Sequence, residues 1–88
     1  MIIDHVYRAY LHQLDNLKID PVQTSYKVAD AMRDELSETC PEISWKDPGS
    51  RAHDFIQMLC MVTRTDLLSS PTWAYSDAMT RTRRELGL

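Results

Sequence analysis

Phe55-Ile56-Gln57-Met58-Leu59-Cys60-Met61-Val62 places seven apolar residues in a run of eight, between charged, helix-favouring flanks. A helix buried on one side shows an apolar arc roughly 100° wide. On a 3.6-residue wheel, Ala52, Phe55, Ile56, Leu59 and Val62 fill that arc, while Met58 and Met61 fall outside it. The segment therefore needs cover on more than one side. In a chain of 88 residues, that cover comes from the chain's other helices or from a second polypeptide.

Outward from this run, the punctuation is helical. Only two glycines are present, Gly49 and Gly87, and no alternating β-branched stretch supports a strand. Before the run, Ile3, Tyr7, Tyr10, Leu14 and Leu17 recur at alternating spacings of four and three, a bundle seam widened by Val6 and Leu11. This predicts a first helix over 2–17. Asp20-Pro21-Val22-Gln23 carries an N-cap acceptor, a proline where the missing N–H is harmless and a capping-box partner. A second helix is expected over 21–39, burying Val22, Tyr26, Ala29, Met32 and Leu36, with Val28 at the margin, and ending before Pro41. Residues 41–50 are irregular, with Ile43 and Trp45 tucked onto the bundle. Asp47-Pro48, with Ser50 as a competing cap, opens a third helix over 48–66, and Ser69-Ser70-Pro71 a fourth over 70–86 that stops at Gly87. Its core stripe is Tyr75, Met79, Thr82 and Leu86. The expected fold is all-α, a four-helix bundle forming one domain over 1–88.

Composition narrows the function classes. No apolar run approaches the roughly 20 residues of a membrane span, and Met1-Ile2-Ile3-Asp4-His5 does not resemble a signal peptide. A cytoplasmic protein without a membrane partner is expected. Cys40 and Cys60 lack metal-ligand spacing and read as reduced thiols. His5 and His12 lie seven residues apart, roughly 10 Å along a helix, too far to share an ion. His53-Asp54 is a lone dipeptide, without the further ligands that a metal phosphohydrolase needs. No nucleophile elbow, dinucleotide-binding loop or phosphate-binding loop occurs. The expectation is a protein without catalytic or metal residues, cofactor or small-molecule substrate.

The remaining signals concern surfaces. The net charge of −3 is uneven: residues 30–54 hold seven acids and three bases, whereas Arg81, Arg83 and Arg84 cluster at the C-terminus. Such asymmetry steers encounters with charged partners. Trp73 points away from the fourth helix's stripe. With Met58 and Met61 it forms the expected apolar contact for a protein partner or a second copy in a homodimer, oriented by Glu35 and Glu38. This is the profile of a regulator, inhibitor or adaptor, and by analogy of a phage or mobile-element accessory protein. The alternative is a helix-turn-helix-like DNA reader. There the last helix turns Thr72, Trp73, Ser76 and Thr80 to bases and Arg81, Arg83 and Arg84 to phosphates. Arg33 interrupts the apolar stripe of the second helix and is expected to pack its stem while its head reaches a carboxylate or water.

Overall fold

The computed structural model describes residues 1–88 as four α-helices and one short 3-10 turn, with no strand: α1 (Ile2–Leu17), α2 (Ser25–Thr39), α3 (Arg51–Met61) and α4 (Pro71–Leu86), the 3-10 turn at Thr65–Leu67. The all-α bundle expected from the sequence is the observed class. The helices pack in a ring, α1 on α2, α2 on α3, α3 on α4, and α4 back on α1. All four contribute to one core, joined by Cys40 and Trp45 from the irregular segment. No helix is long and apolar enough to cross a membrane.

Bounds and faces depart from the sequence expectations in places with local causes. The second helix begins at Ser25 rather than Pro21. The Asp20 carboxylate accepts the N–H groups of Val22 and Gln23 at 3.1 Å each and its carbonyl accepts that of Thr24 at 3.0 Å, closing a separate turn, and the continuous helical ladder starts at the Thr24 carbonyl. The register accordingly brings Ser25 and Val28 inward with Ala29, Met32 and Leu36, and leaves Val22 and Tyr26 exposed. α3 starts at Arg51 because the Ser50 hydroxyl, not Asp47, caps it. That hydroxyl accepts the His53 N–H at 3.1 Å and donates to the Ser44 carbonyl at 2.6 Å, while Asp47 caps the preceding turn at Gly49.

α3 also stops at Met61, short of Asp66. The Thr63 hydroxyl donates to the Leu59 carbonyl at 2.7 Å, the side-chain competition with backbone that ends helices. Tyr10 donates to Thr63 at 3.0 Å, and the Arg81 guanidinium donates to the Val62 carbonyl at 3.0 Å. The end of α3 is thus closed by groups from α1 and α4. At the other extreme, Gly87 adopts φ 70° and Leu88 N–H reaches Arg83 O at 2.8 Å, a Schellman stop in the left-handed region that glycine enters freely.

Alanines set the helix approaches. Ala9, Ala29 and Ala78 have no solvent exposure, and Ala74 almost none, so neighbouring backbones come close where larger side chains would hold them apart. The inner face of α1 consequently runs through Val6, Ala9, Tyr10, Leu14 and Leu17, and Ile3 and Leu11 stay exposed. In α4 the inner stripe is Ala74, Ala78, Met79 and Thr82, with Tyr75 and Leu86 only half-buried.

Candidate functional site

The surface residues singled out by sequence fall on three separate faces. On α4, Trp73 is 56% exposed and shares an outward column with Asp77, Thr80 and Arg84, at helical spacings of four, three and four. Thr72, Ser76 and Arg83 instead line a groove of about 370 Å³ between α1 and α4, walled by Ile3, Tyr7, Tyr75 and Met79 and bordered by Thr80 from that column. Tyr7 and Thr72 join hydroxyls at 3.0 Å across it. Tyr75 meets Tyr7 and Tyr10 edge-on, with ring centroids 4.6 and 5.3 Å away, while its own buried hydroxyl has no partner. Burial pushes the Tyr75 phenol up to about 12, partly offset by the positive charge of Arg83.

This arrangement divides the residues proposed for nucleic-acid contact. Thr72 is engaged by Tyr7, Thr80 donates to the Ser76 carbonyl, and Arg81 is committed to the Val62 carbonyl, so Arg83 and Arg84 are the arginines of this helix without an ion pair or side-chain hydrogen bond. The connection before α4 is Val62–Ser70, nine residues including the 3-10 turn. A helix-turn-helix unit uses a turn of about three to four.

On α2 the two glutamates differ. Glu35 Oε1 accepts a hydrogen bond from His12 Nδ1 at 2.8 Å, bridging α2 to α1, whereas Glu38 stands exposed. The nearby Asp34 is paired with Lys46 at 2.8 Å. Arg33 is only 5% exposed; its head bonds the Asp30 carboxylate at 2.7 Å and the His53 carbonyl at 3.3 Å. The stem packs and the head meets a carboxylate as expected, but the head is buried and does not reach out to solvent, and the same guanidinium fastens α2 to the start of α3.

The third face is the one where apolar residues gather. Met58 is half-buried, but Met61 at the end of α3 is 37% exposed and meets Ile19 (79%) and Val22 (66%) from the α1–α2 connection around one groove of about 540 Å³. Pro21 and Val62 complete its apolar lining, and Lys18, Arg64 and Arg81 with Asp20 and Asp66 form its rim. Tyr26, one helical turn beyond Val22, and Leu67, next to Asp66, are exposed as well. Ile19 and Val22 were not among the surface residues singled out from sequence. Val22 resembled core because Pro21 resembled a first helical residue, whereas Ile19 sits off any helical period between Lys18 and Asp20. Such an isolated apolar residue in a polar turn is the one signal in the sequence by which this face could be found.

No group of three or more His, Cys, Asp or Glu side chains is placed to hold a metal ion. Burial pushes the Cys60 thiol up to about 12, the opposite of the lowered thiol pKa that a nucleophile needs. Tyr10 is likewise raised to about 12 by burial, against the lowering effect of its bond with Thr63. No protein-family model, curated protein or solved structure matches the chain.

Proposed function

We propose that this protein is a non-enzymatic interaction module, a regulator, inhibitor or adaptor that docks on a macromolecular partner in the cytoplasm through the Ile19–Val22–Met61 face. The observation that carries this reading is the convergence of three exposed apolar side chains, from segments far apart in sequence, on one groove with a charged rim. A small bundle that needed these residues only for stability would turn them inward. Contiguous exposed apolar surface instead marks interaction sites, and arginine and methionine are enriched at protein interfaces. Trp73 and Glu38, on other faces, belong to the periphery of such a contact or to none. An accessory factor from a phage or mobile element, blocking a host protein, would fit the same profile.

The test is capture from a nuclease-treated lysate with tagged wild type and with Met61→Asp, the latter verified as folded by circular dichroism. A partner retained by wild type and lost with the variant supports the reading. A partner retained equally by both removes this face from consideration.

The second reading, nucleic-acid binding through α4, is favoured by two unpaired arginines, Arg83 lining the α1–α4 groove and Arg84 on the exposed face of the same helix. Two phosphate contacts would give a salt slope of only about −2. Duplex DNA titrated at two salt concentrations, with Arg83 and Arg84 replaced together by alanine, checks it: binding that ignores the replacement is not carried by this helix.

A further inference from the structure

We infer that the groove between α1 and α4 binds a small aromatic carboxylate, its ring held among Tyr7, Tyr75 and Met79 and its carboxylate on Arg83. No bond is made or broken there, so the ligand is an effector and not a substrate. The site is separate from the Ile19–Val22–Met61 face and stands whether or not that face docks a partner. Its first support is preformed space. The volume of about 370 Å³ lies in the range of small-molecule pockets and is less than the roughly 400 to 600 Å³ that one turn of a docking helix fills. Its walls are held apart: Tyr75 is braced edge-on by Tyr7 and Tyr10, and the Tyr7 hydroxyl is tied to Thr72 across the groove at 3.0 Å.

The second support is the chemistry of the walls. Tyr7 and Tyr75 offer polarised ring surfaces and Met79 a thioether. A planar ring meets them in the offset, edge-on and sulfur contacts that aromatic groups favour, and a saturated chain gains none of these. The third support is sign. Asp4 and Arg83 are the two charged residues of the lining. Asp4 is paired with the Met1 ammonium at 3.6 Å, whereas Arg83, at the exposed edge, has no ion pair and no side-chain hydrogen bond. The Tyr75 hydroxyl is a further donor without an acceptor, and the positive charge of Arg83 acts on it more strongly than the negative charge of Asp4. The groove therefore lacks an anion. A carboxylate, planar and with two acceptor oxygens, matches the guanidinium fork in a way that a point charge does not.

Titration of the isotope-labelled full chain with sodium benzoate, benzamide and sodium heptanoate at constant ionic strength, followed by two-dimensional amide spectra, provides the test. The three probes have the same number of non-hydrogen atoms. Benzoate is expected to shift amides of α1 and α4 with a dissociation constant on the order of 1 to 10 mM, ordinary for so small a ligand. Benzamide keeps the ring without the charge and heptanoate the charge without the ring, and each is expected to bind about tenfold more weakly or less. Arg83→Gln, verified as folded by circular dichroism, is expected to weaken benzoate about tenfold and leave benzamide unchanged. Arg84→Gln removes the same charge from the outward column of the same helix and is expected to change neither. No shift at about 100 mM benzoate overturns the inference. Benzamide or heptanoate binding as tightly as benzoate overturns it too, as does equal weakening by Arg84→Gln, which would mark a general attraction of charge. Shifts confined to α2 and α3 would place the ligand elsewhere and overturn it equally.

Discussion

The α2–α3 seam and the α1–α4 seam join helices of similar length in the same bundle, yet they are built differently. Between α2 and α3, Ala29, Met32, Leu36, Ile56, Leu59 and Cys60 have no solvent exposure, and the Cys60 thiol lies 3.6 Å from the Met32 sulfur. Flexible aliphatic and sulfur-bearing chains interdigitate and leave no room. Between α1 and α4 the contact is made by three tyrosine rings meeting edge to face, a geometry their quadrupoles favour. Rigid rings set at steep angles cannot fill the corners around them, and an open groove remains. One seam holds the fold together, and the other holds a surface in place.

Leu59→Ala is the sharpest way to break this contrast. Its side chain is fully buried, and its truncation is expected to remove about 2 to 5 kcal/mol. In a domain this small that is a large share of the roughly 5 to 15 kcal/mol available, so urea denaturation should show a midpoint far below wild type. A wild-type midpoint would mean that the α2–α3 seam is not where stability resides.

Alkaline pH probes both seams together. Tyr10, Tyr75 and Cys60 are all raised to about 12 by burial, from ordinary values of 10.0 for the phenols and 9.0 for the thiol. The unfolded chain therefore loses its protons first. The stability linked to these groups is fully present below about pH 9 and is lost as pH climbs toward 12. Far-ultraviolet dichroism and tyrosinate absorbance followed in parallel should show the helices melting as Tyr10 and Tyr75 ionise. Complete tyrosine ionisation near pH 10 in a still-helical protein would contradict the burial assigned to these rings.

Smaller effects separate the seams further. Tyr10→Phe deletes the hydroxyl that donates to Thr63 and is expected to cost about 1 kcal/mol. Tyr75→Phe deletes a buried hydroxyl without a partner, so thermal unfolding should move by no more than about 0.5 kcal/mol, in either direction. If Tyr75→Phe proves the more damaging of the two, the open seam contains a contact that its geometry does not reveal.

How far this was legible in the sequence depends on what each residue had to signal. The all-α class followed from scarce glycine and repeated 3.6-residue periodicity, and the bounds of α1 from an uninterrupted seam. Asp20-Pro21 and Asp47-Pro48 misled by a few residues each, because an aspartate that closes a turn and one that caps a helix use the same side-chain acceptor. Thr63 hid the end of α3, since its competition with the backbone depends on Tyr10 and Arg81 arriving from other helices. The apolar face proposed for docking was half visible. Met61 stood out from its own helix, but Ile19 and Val22 joined it only through the turn that Asp20 closes. The roles of Glu35 and Arg81 were hidden for a related reason: a charged residue looks equally free in sequence whether or not its partner lies across the bundle.

The indole of Trp45 donates to the Cys40 carbonyl at 3.0 Å from a nearly inaccessible site, whereas Trp73 stands in water. With two tryptophans in the chain, the molecule carries a pair of built-in optical reporters at opposite extremes of polarity. Iodide should quench the red-shifted emission of Trp73 and spare the blue-shifted emission of Trp45. Opening of the 40–50 segment would then be visible as a change in colour and in quencher access, without any label and before the helices themselves give way.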